Sequence, residues 1–532
     1  MVSQALTGPD LPQAVRAADS PADWIRVDTL SGPVLGRRVG HVQAFLGLPF
    51  AAPPLGPLRF KPPAPVQPWT SPRRADDFAP ACPHLHYFDP TERGADVMDE
   101  DCLALNVWTP AADRSRRPVM VWIHGGGNVG GSARNSQYDG ARLARRGDVV
   151  VVTLQYRLGV LGFLDFSDIG GEGFAGGGNA ALLDVIQALE WVRDNVLAFG
   201  GDPGNVTVFG ESAGADHVQR LMVAPRAQGL FHRAIIQSGI LTDLHPRERS
   251  AHNAALLLQA SGMSLRELQE LPWPALLALA DQTGFVFPWC KPNLDGVVLH
   301  EQPRHGLANG RCAPVPVLIG TTLEETRYFS AVCADPDDPG MTPEAFSDGI
   351  LGDPASLVPF FGDQSQGVID LYLKAYPSRH EAAVALSTDG LIRVMSTRFA
   401  AACSERQPTW MYQFGFRSPV KGRTGQDYGA YHSIEIPFVF GNDGPEAQAV
   451  TAPRDQWGSL SDQMMDAWTA FARSGDPNTP SLPHWPCYDT ARRATMVLDL
   501  PSAVVDDPRG DERAAWDGVP LETRRYWPSC LR

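Results

Sequence analysis

Residues 206–222 read Val206-Thr207-Val208-Phe209-Gly210-Glu211-Ser212-Ala213-Gly214-Ala215-Asp216-His217-Val218-Gln219-Arg220-Leu221-Met222, and this stretch decides the fold. A strand-like run, 206–209, enters a glycine-flanked serine, and 215–222 leaves it as a helix. A side chain held on so sharp a bend needs small residues two positions to either side, because a Cβ there would strike the bent backbone; Gly210 and Gly214 meet that need. A helix opening at Ser212 also aims free backbone N–H groups at any negative charge that develops there. The same letters could form an ordinary loop capped by Ser212, but the strand before and the helix after argue for a nucleophile on a bend.

Working outward, His124-Gly125-Gly126-Gly127 follows the apolar run 119–123. Three consecutive glycines leave backbone amides unshielded, so an oxygen can approach within hydrogen-bonding distance. Alone this segment could be a flexible turn; beside Gly210 to Gly214 it reads as an oxyanion hole. Further runs rich in Val and Ile recur at 149–153, 234–237, 315–319 and 410–414, with amphipathic stretches between them. That alternation predicts an α/β fold with a buried, mostly parallel central sheet flanked by helices. The clearest helix spans 179–198, where Leu182, Leu183, Ile186, Leu189, Val192 and Val196 recur at spacings of three and four until Gly200-Gly201 stops it. Shorter amphipathic helices are expected at 247–261, 388–404 and 460–474. Strand-like pieces at 25–27, 34–35 and 42–46, then a proline-punctuated stretch from Pro49 to Pro68, predict hairpins leading into an extended arm. Segments 241–312 and 330–405 read as helical insertions over the sheet, where substrate pockets form. At about 150 residues per domain the length would divide into three or four. No linker separates the halves, however, so the chain reads as a tail, 1–23, before one domain, 24–532.

Composition narrows the function. With 43% hydrophobic, 9% aromatic and 20% charged residues, the chain can bury a large core and is neither disordered nor fibrous. Its 45 basic and 60 acidic side chains leave a net charge of −15, which repels phosphate backbones and anionic lipid, so nucleic acid is not an expected partner. Eight cysteines without a C-x-x-C pair argue against a disulfide-built scaffold and a zinc or redox module. No apolar run approaches the roughly 18 residues of a membrane span. Met1 to Trp24 carries no apolar signal region, so the sequence as given is expected to be cytoplasmic and free of the membrane; a trimmed export signal would make it secreted or periplasmic.

A serine hydroxyl is a poor nucleophile at neutral pH and needs a base, which needs a carboxylate to hold its tautomer. Thirteen histidines compete for the first role. In folds with a nucleophile on such a bend, the chain order is nucleophile, acid, histidine, with the last two on loops after later strands. Tyr431-His432-Ser433-Ile434-Glu435 follows 410–414, and Leu323-Glu324-Glu325-Thr326 follows 315–319. His432 and Glu325 fit both order and placement, with Glu324 beside them.

Over about residues 25 to 500, the chain resembles the type-B carboxylesterase family, which includes cholinesterases and bacterial para-nitrobenzyl esterases. The matching stretches are Phe45-Leu46-Gly47-Leu48-Pro49-Phe50, Pro53-Pro54, Leu58-Arg59-Phe60, Glu100-Asp101-Cys102-Leu103, His124 to Gly127, Tyr156-Arg157-Leu158-Gly159, Gly200-Gly201-Asp202-Pro203, Gly210 to Gly214, Glu435-Ile436-Pro437-Phe438, Gly475-Asp476-Pro477-Asn478 and Trp485-Pro486. The resemblance implies an α/β-hydrolase in which Ser212 attacks an ester carbonyl with no cofactor or metal, His432 is the base, and Glu325 orients it, the family's acid being the second of the two glutamates. It assigns the oxyanion donors to the N–H groups of Gly126, Gly127 and Ala213. It further implies a Cys82–Cys102 disulfide, worth about 3 kcal/mol if oxidised, and two structural ion pairs, Arg59 with Glu100 and Arg157 with Asp184.

Other features have plainer readings. Cys82, His84 and His86 with Asp89 or Asp96 could imitate a metal nest, but no metal is expected; in a reducing cytoplasm Cys82 and Cys102 would be two thiols. Cys290, Cys312, Cys333, Cys403, Cys487 and Cys530 read as buried or free thiols. Glu211 is expected to be a buried carboxylate tuning the His432 region. The chain also departs from the family. The segment between Cys82 and Cys102 lacks the tryptophan that holds a quaternary ammonium in cholinesterases, which disfavours choline esters and leaves Tyr87 and Phe88 as aromatic pocket residues. Asn128 stands where the family usually carries an aromatic residue, predicting a more polar pocket wall; Asp216 and His217 replace small residues, and Gln155 replaces Asn. The expected substrate is an uncharged, fairly hydrophobic small-molecule ester. The same triad could serve a carbamate, an amide or a natural-product ester, and a non-catalytic binding protein of the same fold is the remote alternative. Oligomeric state is not legible.

Overall fold

Runs of Val, Ile and Leu that bury both faces belong in the middle of a sheet covered on each side. In the computed structural model, which describes residues 24–85, 97–239, 244–284, 290–332, 342–422 and 425–520, such runs form the centre of a 13-stranded sheet. Its strands are β1 (Trp24–Thr29), β2 (Gly32–Val39), β3 (Val42–Pro49), β4 (Arg73–Arg74), β5 (Ala104–Thr109), β6 (Arg117–Ile123), β7 (Val150–Leu154), β8 (Gly201–Glu211), β9 (Arg233–Gln237), β10 (Val317–Thr322), β11 (Thr409–Phe414), β12 (Ala494–Leu498) and β13 (Ala503–Asp506). The order is β1-β2-β3-β5-β7-β6-β8-β9-β10-β11-β12-β13, with β4 beside β2. From β7 to β12 every neighbour is parallel. The hairpins at the start and the last strand are antiparallel.

Alternation along each central strand divides the core in two. Val121, Ile123, Val208, Ile236 and Ile319 face a cluster with Leu182, Ile186 and Leu189 of helix α1 (Ala180–Asn195). Met120, Trp122, Phe209, Ile235, Leu318 and Tyr412 face the other, with Leu460, Met464, Trp468 and Phe471 of helix α5 (Gly458–Ser474). Helix α2 (Ala213–Leu221) follows β8 directly. The helix expected over 179–198 ends in a 3-10 turn, Val196–Phe199, and Gly200 closes it at φ +83. The helix expected at 247–261 is Arg247–Ser261. The one expected at 388–404 is instead two, α3 (Arg379–Thr388) and α4 (Val394–Ser404), joined by a π turn, Asp389–Arg393. Both insertions follow the carboxyl ends of parallel strands, β9 and β10. The second has a core of its own, with Phe346, Phe361, Ile369, Tyr372, Leu386 and Trp516. No helix among the described residues is long and apolar enough to cross a membrane. The tail expected at 1–23 lies outside the described residues.

Two buried ion pairs tie loop segments into the fold. Arg157 donates from Nε and Nη2 to the two carboxylate oxygens of Asp184 at 2.8 and 2.7 Å. Arg59 grips Glu100 in the same two-pronged way. The disulfide implied between Cys82 and Cys102 is not formed. Both are free, buried cysteines, and Cys82 Sγ accepts the Leu158 N–H at 3.2 Å. Backbone bonds close the loop instead, Ala81 N–H to the Val97 carbonyl at 2.9 Å and Asp99 N–H to the Ala81 carbonyl at 3.1 Å. Cys333 and Cys530 lie outside the described residues.

Removing one member of a fully buried ion pair strands the other charge, whereas replacing both with apolar groups does not. Asp184→Asn should cost about 3 to 5 kcal/mol, read as an earlier urea midpoint, and the double variant Arg157→Met/Asp184→Leu should recover most of it. A single variant as stable as the parent would show that the pair is not a brace.

Candidate active site

Strand β8 runs to Glu211 and α2 begins at Ala213, so Ser212 alone makes the turn. It does so at φ +55 and ψ −123, a strained conformation for a residue with a Cβ. Space forbids side chains nearby. A Cβ on Gly214 would lie 2.0 Å from the Ile123 carbonyl oxygen, and one on Gly210 would lie 2.6 Å from the Gly214 carbonyl carbon. The Ser212 N–H donates to the Gln237 carbonyl at 2.9 Å, tying the bend to the end of β9.

The glycine loop leaves β6 beside this bend. Gly126 and Gly127 stand at φ +100 and +62. A Cβ on Gly125 would meet Glu211 Oε2 at 2.7 Å, and one on Gly126 would meet the Gly130 carbonyl oxygen at 2.3 Å. The Gly126 carbonyl turns inward, accepting from the N–H groups of Val129 and Gly130 at 3.0 Å each. Ala213 opens α2, so its N–H is among the first-turn donors that no helical carbonyl reaches. These amides can therefore serve an oxygen arriving above Ser212.

Glu325 and His432 arrive on later loops. His432 Nδ1 lies 2.7 Å from Glu325 Oε2, and the His432 N–H donates to the Glu325 carbonyl at 3.2 Å. The other Glu325 oxygen accepts from Ser238 Oγ at 2.7 Å and the Thr322 N–H at 2.8 Å, which fixes the carboxylate on the far side. Glu324 points elsewhere, accepting from Arg327, Arg417 and the Ala430 N–H at 2.7, 3.1 and 2.9 Å. His432 Nε2 stands 3.1 Å from Glu211 Oε1, out of line for a hydrogen bond.

A sequence profile described as the carboxylesterase family matches residues 23–516. The chain belongs to this carboxylesterase family. It is 37% identical over 500 residues to a para-nitrobenzyl esterase of Bacillus subtilis, covering 92% of this chain and 97% of that one. A liver carboxylesterase of Sus scrofa is 34% identical, covering 94% of each. A fumonisin B1 esterase of Sphingopyxis macrogoltabida is 36% identical, covering 87% of this chain and 84% of that one. Among solved structures, a thermophilic para-nitrobenzyl esterase superposes with a TM-score of 0.79 at 36% identity, over 92% of this chain and 99% of that one. The protein is thus a carboxylic ester hydrolase with the α/β-hydrolase fold.

Three carboxyl groups surround the His432 imidazole. Burial, then the neighbouring carboxylates Glu435, Glu325 and Asp216, push Glu211 up to about 8, against the pull of His432. Burial and Glu325 push Glu435 up to about 7. Burial alone would lower His432, but Glu211, then Glu325 and Glu435, outweigh it and raise the imidazole to about 9.

Glu211 is buried, as its place beside Ser212 predicts. Asn128 differs: it is buried, and its Oδ1 accepts from His217 Nε2 at 3.0 Å, so that oxygen is turned onto α2 and not into a pocket. Tyr87 and Phe88 lie outside the described residues. Sequence reasoning misses Ser238, Gln237 and the charge of Glu435. Gln237 Nε2 donates to Glu435 Oε1 at 3.2 Å and its Oε1 accepts from Trp468 Nε1 at 3.1 Å. The only signal is position, since Gln237-Ser238-Gly239 leaves the carboxyl end of a central strand.

Glu211→Gln removes the carboxylate that does most to keep the proton on His432, so the imidazole should become neutral at lower pH. The His432 ring resonances and the acid limb of kcat/KM for an uncharged ester should both move down by about one pH unit. A limb that stays put would rule Glu211 out as the group setting it.

Proposed function

We propose that the esterase works through an acyl-enzyme on Ser212, with His432 as base, Glu325 as the acid that orients it, and the N–H groups of Gly126, Gly127 and Ala213 as oxyanion donors. The observation that carries this reading is the 2.7 Å contact between Glu325 Oε2 and His432 Nδ1. It commits Nδ1 to holding a proton and leaves Nε2 to accept another. Nε2 takes the hydroxyl proton as Ser212 Oγ bonds to the ester carbon, and the carbonyl electrons move onto the oxygen held by the three amides. That intermediate collapses, and His432 returns the proton to the departing alcohol. A water then repeats the sequence on the acyl group, with His432 again taking the proton, and the acid leaves. No hydrogen bond joins Ser212 Oγ to Nε2 here, and contacts of this kind commonly tighten only in the complex with substrate.

The substrates we infer are uncharged, fairly hydrophobic small-molecule esters. Glu211, Glu325 and Glu435 sit together around the imidazole, and a carboxylate-bearing substrate would add a further negative charge beside them. The site reads a carbonyl and not its substituents, and relatives named for para-nitrobenzyl esters and for fumonisin B1 match this chain about equally well. A carbamate, an amide or a natural-product ester therefore remains the second reading.

An ester panel that varies acyl and alcohol length separately, run on the parent and on Ser212→Ala, tests both. Ser212→Ala should lower kcat by about 10⁴-fold or more for every ester with little change in thermal stability. An organophosphate should add one adduct to the parent and none to the variant. Retained turnover in Ser212→Ala, or an adduct mapped to another residue, would overturn the assignment.

A further inference from the structure

The proposed oxyanion hole is assembled from two elements. Gly126 and Gly127 belong to the loop after β6, and Ala213 belongs to α2. A loop of bare glycines has no side chains with which to fix its distance from that helix. Asn128 follows it directly, at φ +64, a left-handed conformation that asparagine tolerates better than most residues. Its carbonyl accepts from the Gly159 N–H at 2.8 Å, and its Oδ1 accepts from His217 Nε2 at 3.0 Å. His217 stands one turn along α2 from Ala213 and is wholly buried.

We propose that Asn128 and His217 are positioning residues that set the width of the oxyanion hole by tying the glycine loop to the helix that carries Ser212 and Ala213. This rests on the reading of Ser212, Gly126, Gly127 and Ala213 given above.

The amide oxygen only accepts, so the bond places the imidazole proton on Nε2 and leaves Nδ1 as an acceptor. No hydrogen-bond partner reaches Nδ1, although it is buried. An apolar residue would fill this space with no unpaired nitrogen of its own but would leave Asn128 Oδ1 without a donor, so the imidazole is a costly filler but a suitable donor. Its ring is held edge-on by Tyr156, with centroids 4.8 Å apart. Tyr156 in turn donates its hydroxyl to the His124 carbonyl at 2.8 Å and stacks on the His124 ring at 4.4 Å. The brace thus runs from the end of β6 through Tyr156 to α2 and back to Asn128. Burial, with Arg220 and His124 nearby, holds His217 well below the ordinary histidine range, so the ring stays neutral and the tie does not open as pH changes.

The test compares His217→Ala, His217→Gln, Asn128→Gly and the double variant Asn128→Gly/His217→Ala with the parent and with Ser212→Ala. Glycine at 128 removes the amide and still accepts the left-handed backbone. His217→Ala and Asn128→Gly should each lower kcat about 10- to 100-fold while KM stays within about twofold, since the hole acts on the developing oxyanion and not on the bound ester. Affinity for a trifluoromethyl ketone, whose adduct places an oxyanion in the hole, should fall by a similar factor. The double variant should be no worse than the poorer single one. His217→Gln, whose side-chain amide can donate to the same oxygen, should recover most of the loss. Full turnover in His217→Ala, or a loss that glutamine does not rescue and the ketone does not follow, overturns the proposal. If His217→Ala fails to fold, Asn128→Gly decides alone, because it leaves α2 untouched. Ser212→Ala separates the two readings: activity there sinks the nucleophile assignment, whereas an inactive Ser212→Ala beside a fully active His217→Ala sinks only the brace.

Discussion

The site depends on how closely two parallel strands bring their ends together. Where β6 and β8 finish, backbone lies against backbone, with the position of a Cβ on Gly214 only 2.0 Å from the Ile123 carbonyl oxygen. Side chains are excluded from Gly125, Gly126, Gly210 and Gly214 alike. This close approach places Ser212 beside the glycine loop. A methyl group on Gly210 or Gly214 would have to push apart strands whose neighbours on both sides are packed to full density, and one on Gly126 would strike Gly130 of its own loop. The large sheet matters to the chemistry chiefly because it makes that displacement expensive.

Charge is the second constraint. A lone buried carboxyl would tend to take up a proton, and three around one imidazole cannot all be ionised without a cation among them. His432 is that cation when protonated, and Glu211, Glu325 and Glu435 compete for it. Their neighbours distinguish them. Glu325 accepts from Ser238, Thr322 and His432, which fixes its carboxyl group in place. Glu211 and Glu435 each have an oxygen with no donor and are pushed upward. The imidazole is thus held from one side by a fixed carboxyl group and tuned from the other by poorly solvated ones.

Much of this is legible in the amino-acid sequence. Small residues around a strand-to-helix serine leave one backbone solution, and chain order brings His432 and Glu325 forward from thirteen histidines and a pair of glutamates. The central strands read well because burial on both faces demands unbroken apolar runs. Strand β5, Ala104–Thr109, escapes because its Asn106 is buried and hydrogen-bonded to Thr153, so the run looks broken in one dimension. Periodicity misplaces the helix at 388–404 because Asp389 and Arg393 pair with each other inside the fold, hiding a π turn behind an unremarkable helical pattern. Of the two states open to Cys82 and Cys102, the structure has the free thiols; proximity of two cysteines does not specify their oxidation state, and backbone bonds already close that loop. Asn128 reads as a pocket wall because the partner that claims its oxygen lies 89 residues away on another element.

Strain shows how these parts cooperate. Four non-glycine residues with positive φ gather here: Asn128 at +64, Ser212 at +55, Ser238 at +53 and Ser433 at +76. Each such residue costs on the order of 1 to 3 kcal/mol and persists only where its surroundings overdetermine it. Here the surroundings can be named. Ser212 is held by the Gln237 carbonyl and Asn128 by His217 and the Gly159 N–H. Ser238 is held by Glu325, and its N–H donates to the Gly320 carbonyl. Ser433 lies between His432 and Ile434, whose N–H groups donate to the Glu325 and Tyr431 carbonyls. Most of these restraints are bonds to another element, so the strain is shared across β8, β9, β10 and the His432 loop. No one of them can relax without displacing a partner, and an arrangement bound in that way holds its reactive groups in place before a substrate arrives.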